Sequence, residues 1–162
     1  METMLRHVTL GEIVYRGPTT LKEYYKKPEA TEEAMAGGWF HSGDLVREDE
    51  DGYFFVVDRA KDMIISGREN IYAADVEEVI FSHPKVLEVA IIGVPDQKGG
   101  ESVKAIVVPK EGENISEEEI VSHSQENLAS YKKQKSVEII DELPQNAAGK
   151  VMKFKLREPH KQ

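Results

Sequence analysis

Cysteine is absent from this chain of 162 residues. Its absence excludes disulfide bonds, a thiol nucleophile and a thiolate metal site. The sequence also has no apolar run that approaches the roughly 20 residues of a transmembrane helix. The first residues lack the basic-then-apolar pattern of a secretion signal. These absences predict a protein of the reducing cytoplasm with no membrane span.

An excess of positive charge is missing as well. The chain has 21 Lys and Arg against 30 Asp and Glu, which gives a net charge of -9. Because phosphate-rich partners select basic surfaces, we expect no nucleic-acid partner. The charge is uneven, since residues 129–162 contain eight Lys or Arg and four Asp or Glu. Such a basic end suits a small polyanion, although a solvated lysine-rich surface is the commoner explanation.

The charged stretch DRAKDMIISGREN, residues 58–70, is the most informative part of the sequence. Four charged side chains within residues 58–62 are too dense for a buried strand, so we expect exposed backbone there. A short apolar run and then Gly67-Arg68 follow. Taken alone, this pattern predicts a polar connector followed by a β-hairpin that turns at Gly67-Arg68.

The chain before this stretch predicts a β-rich piece with little core of its own. Residues 12–16 and 53–58 have the composition of strands. Thr31, followed by two glutamates, predicts the N-cap of a short helix that ends at Gly37-Gly38. The HSGDL segment, residues 41–45, predicts a turn. We expect this piece to need a partner domain that covers it.

From Asp62 onward the pattern predicts one α+β module of about 100 residues, a small sheet flanked by helices. The predicted elements are a helix through Val76, Val79, Ile80 and His83 that ends at Pro84, strands over 86–94, 103–108 and 136–140, a helix from a Ser116 and Glu119 capping box to about Leu128, and a loop over 144–150 before a short terminal helix. The predicted fold class is therefore α+β, preceded by the β-rich piece.

Five segments of the chain, taken in order, resemble the adenylate-forming superfamily. This family comprises acyl-CoA synthetases, adenylation domains of peptide synthetases, and luciferases. The segments are GEIVYRGPTT (11–20), YYKKPEAT (24–31), GWFHSGDL (38–45), DGYFFVVDRAKDMIISGRENIYAADVEEVI (51–80) and LPQNAAGK (143–150). Such a multi-motif match is more specific than any single motif. The resemblance is closest to a CoA ligase for fatty or related carboxylic acids.

The resemblance implies two domains that meet near Lys61. Residues 1–60 would be the β-rich end of an N-terminal adenylation domain, and residues 61–162 the C-terminal lid domain. In the family the larger N-terminal domain holds the acid pocket, the Mg²⁺ carboxylate and a Gly-rich phosphate loop, and no such loop occurs in these 162 residues. We therefore expect ATP and Mg²⁺ to bind through that partner domain, and we expect this chain alone to be inactive.

The implied reaction has two steps. A carboxylic acid and ATP give an acyl-adenylate and pyrophosphate, and the CoA thiol then displaces AMP to give acyl-CoA. The resemblance assigns the first step to Lys150, carried into the adenylation site by the lid. An ammonium suits the charge that gathers around the carboxylate and the α-phosphate. Without the resemblance, Lys150 would be one more surface lysine after a flexible turn.

The resemblance also implies nucleotide-binding residues. Asp44 matches the family carboxylate that accepts hydrogen bonds from the ribose hydroxyls, although an exposed Asp after Gly is usually a turn former. Arg59 is similar to the family arginine near the ribose and phosphate. A surface ion pair, which contributes little stability, is its alternative interpretation. Ser42 replaces a commoner Thr beside Asp44.

The remaining implied residues concern the second step. Lys61 occupies the family's hinge position, and its rotation would exchange the Lys150 face of the lid for the loop of Ser66, Gly67 and Arg68 beside the pantetheine tunnel. Lys132, with the neighbouring Tyr131, is a weaker candidate for a CoA contact. Many CoA ligases have an arginine where this chain has Gly99, which puts one CoA phosphate contact in doubt.

No metal site is predicted. Residues 47–58 place acidic side chains at several positions of a calcium loop, but Arg47 occupies the first ligand position and Asp58 the last. A solvated hairpin turn explains this segment better. The five histidines are scattered along the chain, and His41-Ser42 lacks the third group that orients a nucleophile and its base.

Two alternatives remain open. One keeps the fold and changes the acceptor, as in a peptide-synthetase adenylation domain or a luciferase-like enzyme. The other is a stand-alone binding module that kept the lid fold and lost catalysis, although Lys150 and Asp44 are both present. The acid itself is not encoded in these residues.

Overall fold

The computed structural model describes residues 10–129, 132 and 134–160. The chain forms two compact units, and the boundary between them lies between Lys61 and Asp62. Each unit has a sheet of its own. Within the described ranges, no helix is long and apolar enough to cross a membrane.

The first unit is a three-stranded antiparallel sheet in the order β1-β2-β3. Its elements are β1 (Leu10–Tyr15), α1 (Pro28–Ala34), β2 (Phe40–Glu48) and β3 (Phe54–Arg59). Leu45 and Val46 are its buried apolar residues, whereas Tyr53 and Val56 are 67% and 71% exposed. The described part of this unit therefore has little core, as the sequence predicts.

Two local predictions for this unit were wrong. The helix begins at Pro28, three residues before the predicted N-cap, because proline suits the first helical turn, where no N–H partner is needed. Thr31 lies inside that helix and donates its hydroxyl to the Lys27 carbonyl at 2.8 Å. The HSGDL segment is part of β2 and not a turn. Gly43, with φ of +73°, precedes a register shift between Leu45 and Val46.

The second unit is a five-stranded sheet with helices on both faces. Its elements are β4 (Ile64–Ser66), β5 (Glu69–Ile71), α2 (Ala73–Phe81), β6 (Val86–Asp96), β7 (Gly100–Pro109), α3 (Glu117–Asn127), β8 (Ser136–Ile139) and α4 (Lys153–Arg157). The strand order is β5-β4-β7-β6, and β8 pairs in parallel with residues 104–107 of β7. The predicted α+β fold class is confirmed.

Alternation along β6 and β7 builds two apolar layers, because successive strand residues face opposite sides of a sheet. Ile91 and Val107 face the layer that contains residues of α2 and α3. Ile92 and Ile106 face the layer in which Leu143, Val151 and Leu156 pack. The Ser116 and Glu119 capping box forms as predicted and begins α3.

A pair of histidines packs where α2 meets α3. The rings of His83 and His123 lie edge to face with centroids 5.0 Å apart. Nδ1 of His83 accepts a 3.3 Å hydrogen bond from the Lys85 N–H. Burial first, and then the charge of His123, lowers the pKa of His83 below its ordinary 6.5; Glu119 opposes this shift.

This lowered pKa predicts that acid weakens the second unit. The neutral His83 of the folded state contributes stability that is present above about pH 6.5 and lost as the pH falls through the lower folded pKa. We expect His83→Asn, whose amide oxygen can accept the same N–H, to lose less stability than wild type between about pH 7.5 and about pH 5.5. Urea unfolding at the two pH values measures this. Equal losses in both proteins would contradict the prediction.

Candidate nucleotide and lid sites

In the first unit, Asp44 and Arg59 face each other across the β2-β3 pair. The Nε of Arg59 lies 3.1 Å from Oδ1 of Asp44, an ion-pair distance. This N–H makes no aligned hydrogen bond, whereas Nη2 donates to the Ser42 carbonyl at 2.9 Å. Because both side chains are more than one third exposed, their attraction contributes little stability. The two predicted nucleotide residues therefore lie together, with the carboxylate partly open to solvent.

The backbone that carries Asp44 is held by side chains of this strand and of β1. The Ser42 hydroxyl donates to the Ile13 carbonyl at 2.7 Å and accepts from the Asp44 N–H at 3.0 Å. Glu12 accepts from the Gly43 N–H and pairs with His41, both at 2.8 Å. His41 lowers the pKa of Glu12, and the Glu12 hydrogen bond raises the pKa of His41. Sequence reasoning missed this support from Glu12.

Lys150 lies on an exposed turn between Gln145 and Val151, which form an antiparallel bridge. Gly149 has φ of +76°, a conformation that favours glycine. Among the described residues, none forms an ion pair or a hydrogen bond with the Lys150 ammonium. The loop that the sequence predicts before the terminal helix is therefore present, and its backbone forms a hydrogen-bonded turn.

Ser66, Gly67 and Arg68 form the tip of the β4-β5 hairpin, where Ser66 pairs with Glu69. The hairpin predicted from glycine and charge is therefore present. Gly67, with φ of +67°, donates its N–H to the Gly99 carbonyl at 2.7 Å. A Cβ at Gly99 would lie 3.2 Å from the Gly67 nitrogen. This close approach explains why glycine fits at position 99 of this chain.

Lys132 is already engaged. Its ammonium lies 2.5 Å from Oδ2 of Asp75, in the first turn of α2, and only 23% of its side chain is exposed. An anionic ligand would therefore have to compete with Asp75. Tyr131 lies outside the described residues.

The Lys150 turn and the Ser66 hairpin are at opposite ends of the sheet of the second unit. The turn is joined to the start of β6, since the Gln145 amide donates to Glu88 at 2.9 Å. The hairpin contacts Gly99 and Gly100, and Gly100 pairs with Asp96 at the end of β6. From Glu88 to Asp96 the strand extends about 26 Å at about 3.3 Å per residue. One compact unit thus carries two candidate sites on separate ends.

Lys61 is exposed in the single 3₁₀ turn Ala60–Asp62, at the last position of the first unit. The next residue, Asp62, belongs to the second unit and pairs with Arg157 of α4 at 2.9 Å. The hinge role of Lys61 stays a prediction. In the ranges that the structure describes, no three His, Asp or Glu side chains are grouped for a metal ion.

Comparison with known proteins identifies the family. Residues 75–150 match the AMP-binding enzyme C-terminal domain. The chain is 52% identical over 147 residues to a feruloyl-CoA synthase of Amycolatopsis sp. The alignment covers 91% of this chain and 30% of that protein. The chain is 47% identical over 150 residues to the long-chain-fatty-acid–CoA ligase FadD13 of Mycobacterium tuberculosis. That alignment covers 93% of this chain and 30% of the ligase.

Solved structures agree with the sequence relatives. The ATP-bound MatB of Rhodopseudomonas palustris superposes with a TM-score of 0.84 at 39% identity, over 93% of this chain and 30% of that one. The chain thus spans about 30% of the length of the relatives it matches. The resemblance drawn from the five sequence segments is confirmed. The chain belongs to the adenylate-forming superfamily and corresponds to the C-terminal portion of its members.

Proposed function

We propose that this chain is the C-terminal part of an ATP-dependent, AMP-forming acid–thiol ligase that makes an acyl-CoA. The observation that carries the proposal is the placement of the Lys150 turn and the Ser66 hairpin at opposite ends of one sheet. They are joined to β6 near Glu88 and Asp96, which are about 26 Å apart along the strand. Only one of these two ends, the Lys150 turn or the Ser66 hairpin, can face the active site of the partner domain at a time. A unit built in this way suits a reaction with two successive steps, adenylation and thioester formation.

Lys150 would serve the first step. Its ammonium is exposed, and no described residue forms an ion pair with it, so it can contact the carboxylate and the α-phosphate as pyrophosphate leaves. A preorganised cation at developing charge is among the largest contributions to catalysis. Asp44 would accept hydrogen bonds from the ribose hydroxyls through its partly exposed carboxylate, beside the Arg59 guanidinium.

Lys61 would be the hinge between these steps. Asp62 is tied to the second unit by Arg157, so a backbone rotation at the preceding residue would turn that unit as a body. The turned unit would present Ser66, Gly67 and Arg68 to the pantetheine of CoA. Lys132 would reach CoA only by leaving Asp75.

The acid is a carboxylic acid whose pocket is in the partner domain. The relatives' names include an aromatic acid and a long-chain fatty acid, and a fatty or related carboxylic acid is the substrate class that the family resemblance implies. Mg²⁺ would accompany ATP through ligands of the N-terminal adenylation domain. The cytoplasmic location stays a prediction.

A hybrid enzyme tests the proposal. In it, this chain replaces the aligned 30% of the Amycolatopsis feruloyl-CoA synthase. We expect the hybrid to convert ferulate, ATP and CoA to AMP and feruloyl-CoA, whereas the relative without that segment, and this chain alone, release no AMP. A folded hybrid that forms the adenylate and does not pass it to CoA would favour another acceptor. A folded hybrid that forms no adenylate would favour the stand-alone module.

A further inference from the structure

The turn that carries Lys150 is fixed at both ends. Gln145 and Val151 form a bridge, and the Met152 N–H donates to the Pro144 carbonyl at 2.8 Å. Leu143, just before the turn, is 5% exposed and packs in the apolar layer that Val151 also contacts. The ends of the turn therefore cannot shift without disturbing the packing of the sheet.

Inside the turn, Asn146 makes the contacts that fix the backbone of Lys150. Its side-chain oxygen accepts from the N–H groups of Ala148 and Lys150 at 3.0 and 2.9 Å. Its own N–H donates to the Lys150 carbonyl, and its carbonyl accepts from Gly149, both at 2.9 Å. Ala147, Ala148 and Gly149 offer no polar side chain. Asn146 is thus the one side chain between the ends of the turn that can hold its shape.

The contacts of Asn146 fix local geometry more than they add to global stability. The hydrogen bonds of Asn146 are on an exposed turn, and the apolar layers on both sides of the sheet hold the unit together without them. Loss of such exposed bonds changes global stability little. A changed backbone at Lys150, however, is amplified along its four-carbon side chain to the ammonium. A displacement of about 1 Å at a reacting centre can cost about a hundredfold in rate.

We propose that Asn146 is a positioning residue, whose side-chain oxygen holds the Lys150 backbone so that the ammonium reaches the adenylation site. The inference rests on the proposed function, because it acts through Lys150. It needs an acceptor oxygen at position 146, and the amide nitrogen is dispensable. Asn146→Asp keeps that acceptor, Asn146→Thr keeps an uncharged one, and Asn146→Ala removes it.

Amide hydrogen exchange on the 162-residue chain tests the geometry directly. In Asn146→Ala we expect the amides of Ala148 and Lys150 to exchange about fivefold faster than in wild type, because each amide loses one ordinary hydrogen bond. In Asn146→Asp and Asn146→Thr their exchange stays near that of wild type. Unchanged exchange in Asn146→Ala would overturn the proposal. Amides of β6 and β7 report whether the sheet stays folded.

Half-reaction kinetics of the hybrid enzyme test the consequence. We expect Asn146→Ala to lower kcat for adenylation about ten- to a hundredfold, with KM for ATP and transfer from preformed adenylate changed less than about threefold. Asn146→Asp should form the adenylate at the rate of the unmodified hybrid, because it keeps the acceptor oxygen. The matched control is Asn114→Ala, an exposed loop asparagine of the same unit, which leaves both steps unchanged.

The outcomes distinguish failure of the Asn146 positioning role from failure of the proposed function. Equal loss in both half-reactions, or full adenylation in Asn146→Ala while Lys150→Ala is inactive, overturns the positioning role alone. Full adenylation in Lys150→Ala removes Lys150 from the first step, and the positioning role fails with it. A folded, unmodified hybrid that forms no adenylate overturns the proposed function itself.

Discussion

In the hybrid enzyme, Lys150→Ala is expected to lower kcat for acyl-CoA formation by about a hundred- to a thousandfold. This is the usual effect of removing one preorganised hydrogen-bond donor that stabilises charge in a transition state. The loss should appear in kcat and much less in KM for the acid or ATP. The ammonium stabilises the charge that develops in the transition state and contributes little to the ground-state binding of either substrate. Steady-state AMP release at saturating substrates measures it.

The matched control is Lys155→Ala. Lys155 is an exposed lysine of α4, five residues further on, outside the turn of Gln145 to Val151. It should keep the activity of the unmodified hybrid, which separates the position of the charge from the net charge of the basic end. A Lys150→Ala hybrid with the turnover of the Lys155→Ala control would remove Lys150 from the mechanism.

Asp44→Ala is the second large expected effect. Hydrogen bonds to a charged acceptor contribute about 1.5 to 3 kcal/mol each, so loss of the carboxylate should lower kcat/KM for ATP about ten- to a hundredfold. Asp44→Asn keeps one acceptor oxygen and should lose less. Stability should change little in either variant, because the pair with Arg59 is partly exposed. ATP titration of the hybrid at saturating ferulate measures the effect.

Asp51→Ala is the control for Asp44. Asp51 is an exposed residue of the β2-β3 turn, where its N–H donates to Asp49. It should not alter kcat/KM for ATP. If Asp44→Ala and Asp51→Ala behave alike, the ribose contact assigned to Asp44 is wrong.

The second unit could be predicted from its sequence because periodicity and capping agree there. Val76 and Ile80 repeat at helical spacing, and Ser116 with Glu119 forms the box that begins α3. The first unit was harder. Gly43 looked like a turn glycine because a positive φ at a register shift inside a strand, here the shift of the β1-β2 pair between His41 and Leu45, has no sequence pattern of its own.

The candidate site was predicted in part. The sequence marks Lys150 and Asp44 through family motifs, but it does not say what holds them. An asparagine just before Ala-Ala-Gly could have been read as an Asx turn, in which the side chain bonds a nearby backbone N–H. That signal would have found Asn146. Glu12 gave none, since it reaches His41 and Gly43 only through the strand pairing of β1 with β2.

The central claim is that one end of the second unit serves adenylation and the other serves thioester formation. The measurement that tests it most directly compares the two half-reactions in the hybrid enzyme and its Lys150→Ala variant: pyrophosphate exchange into ATP with ferulate, and transfer of feruloyl from preformed adenylate to CoA. We predict that exchange falls about a hundredfold or more and that transfer changes less than about threefold. Intact exchange in the variant, or equal loss of both steps, would contradict the account.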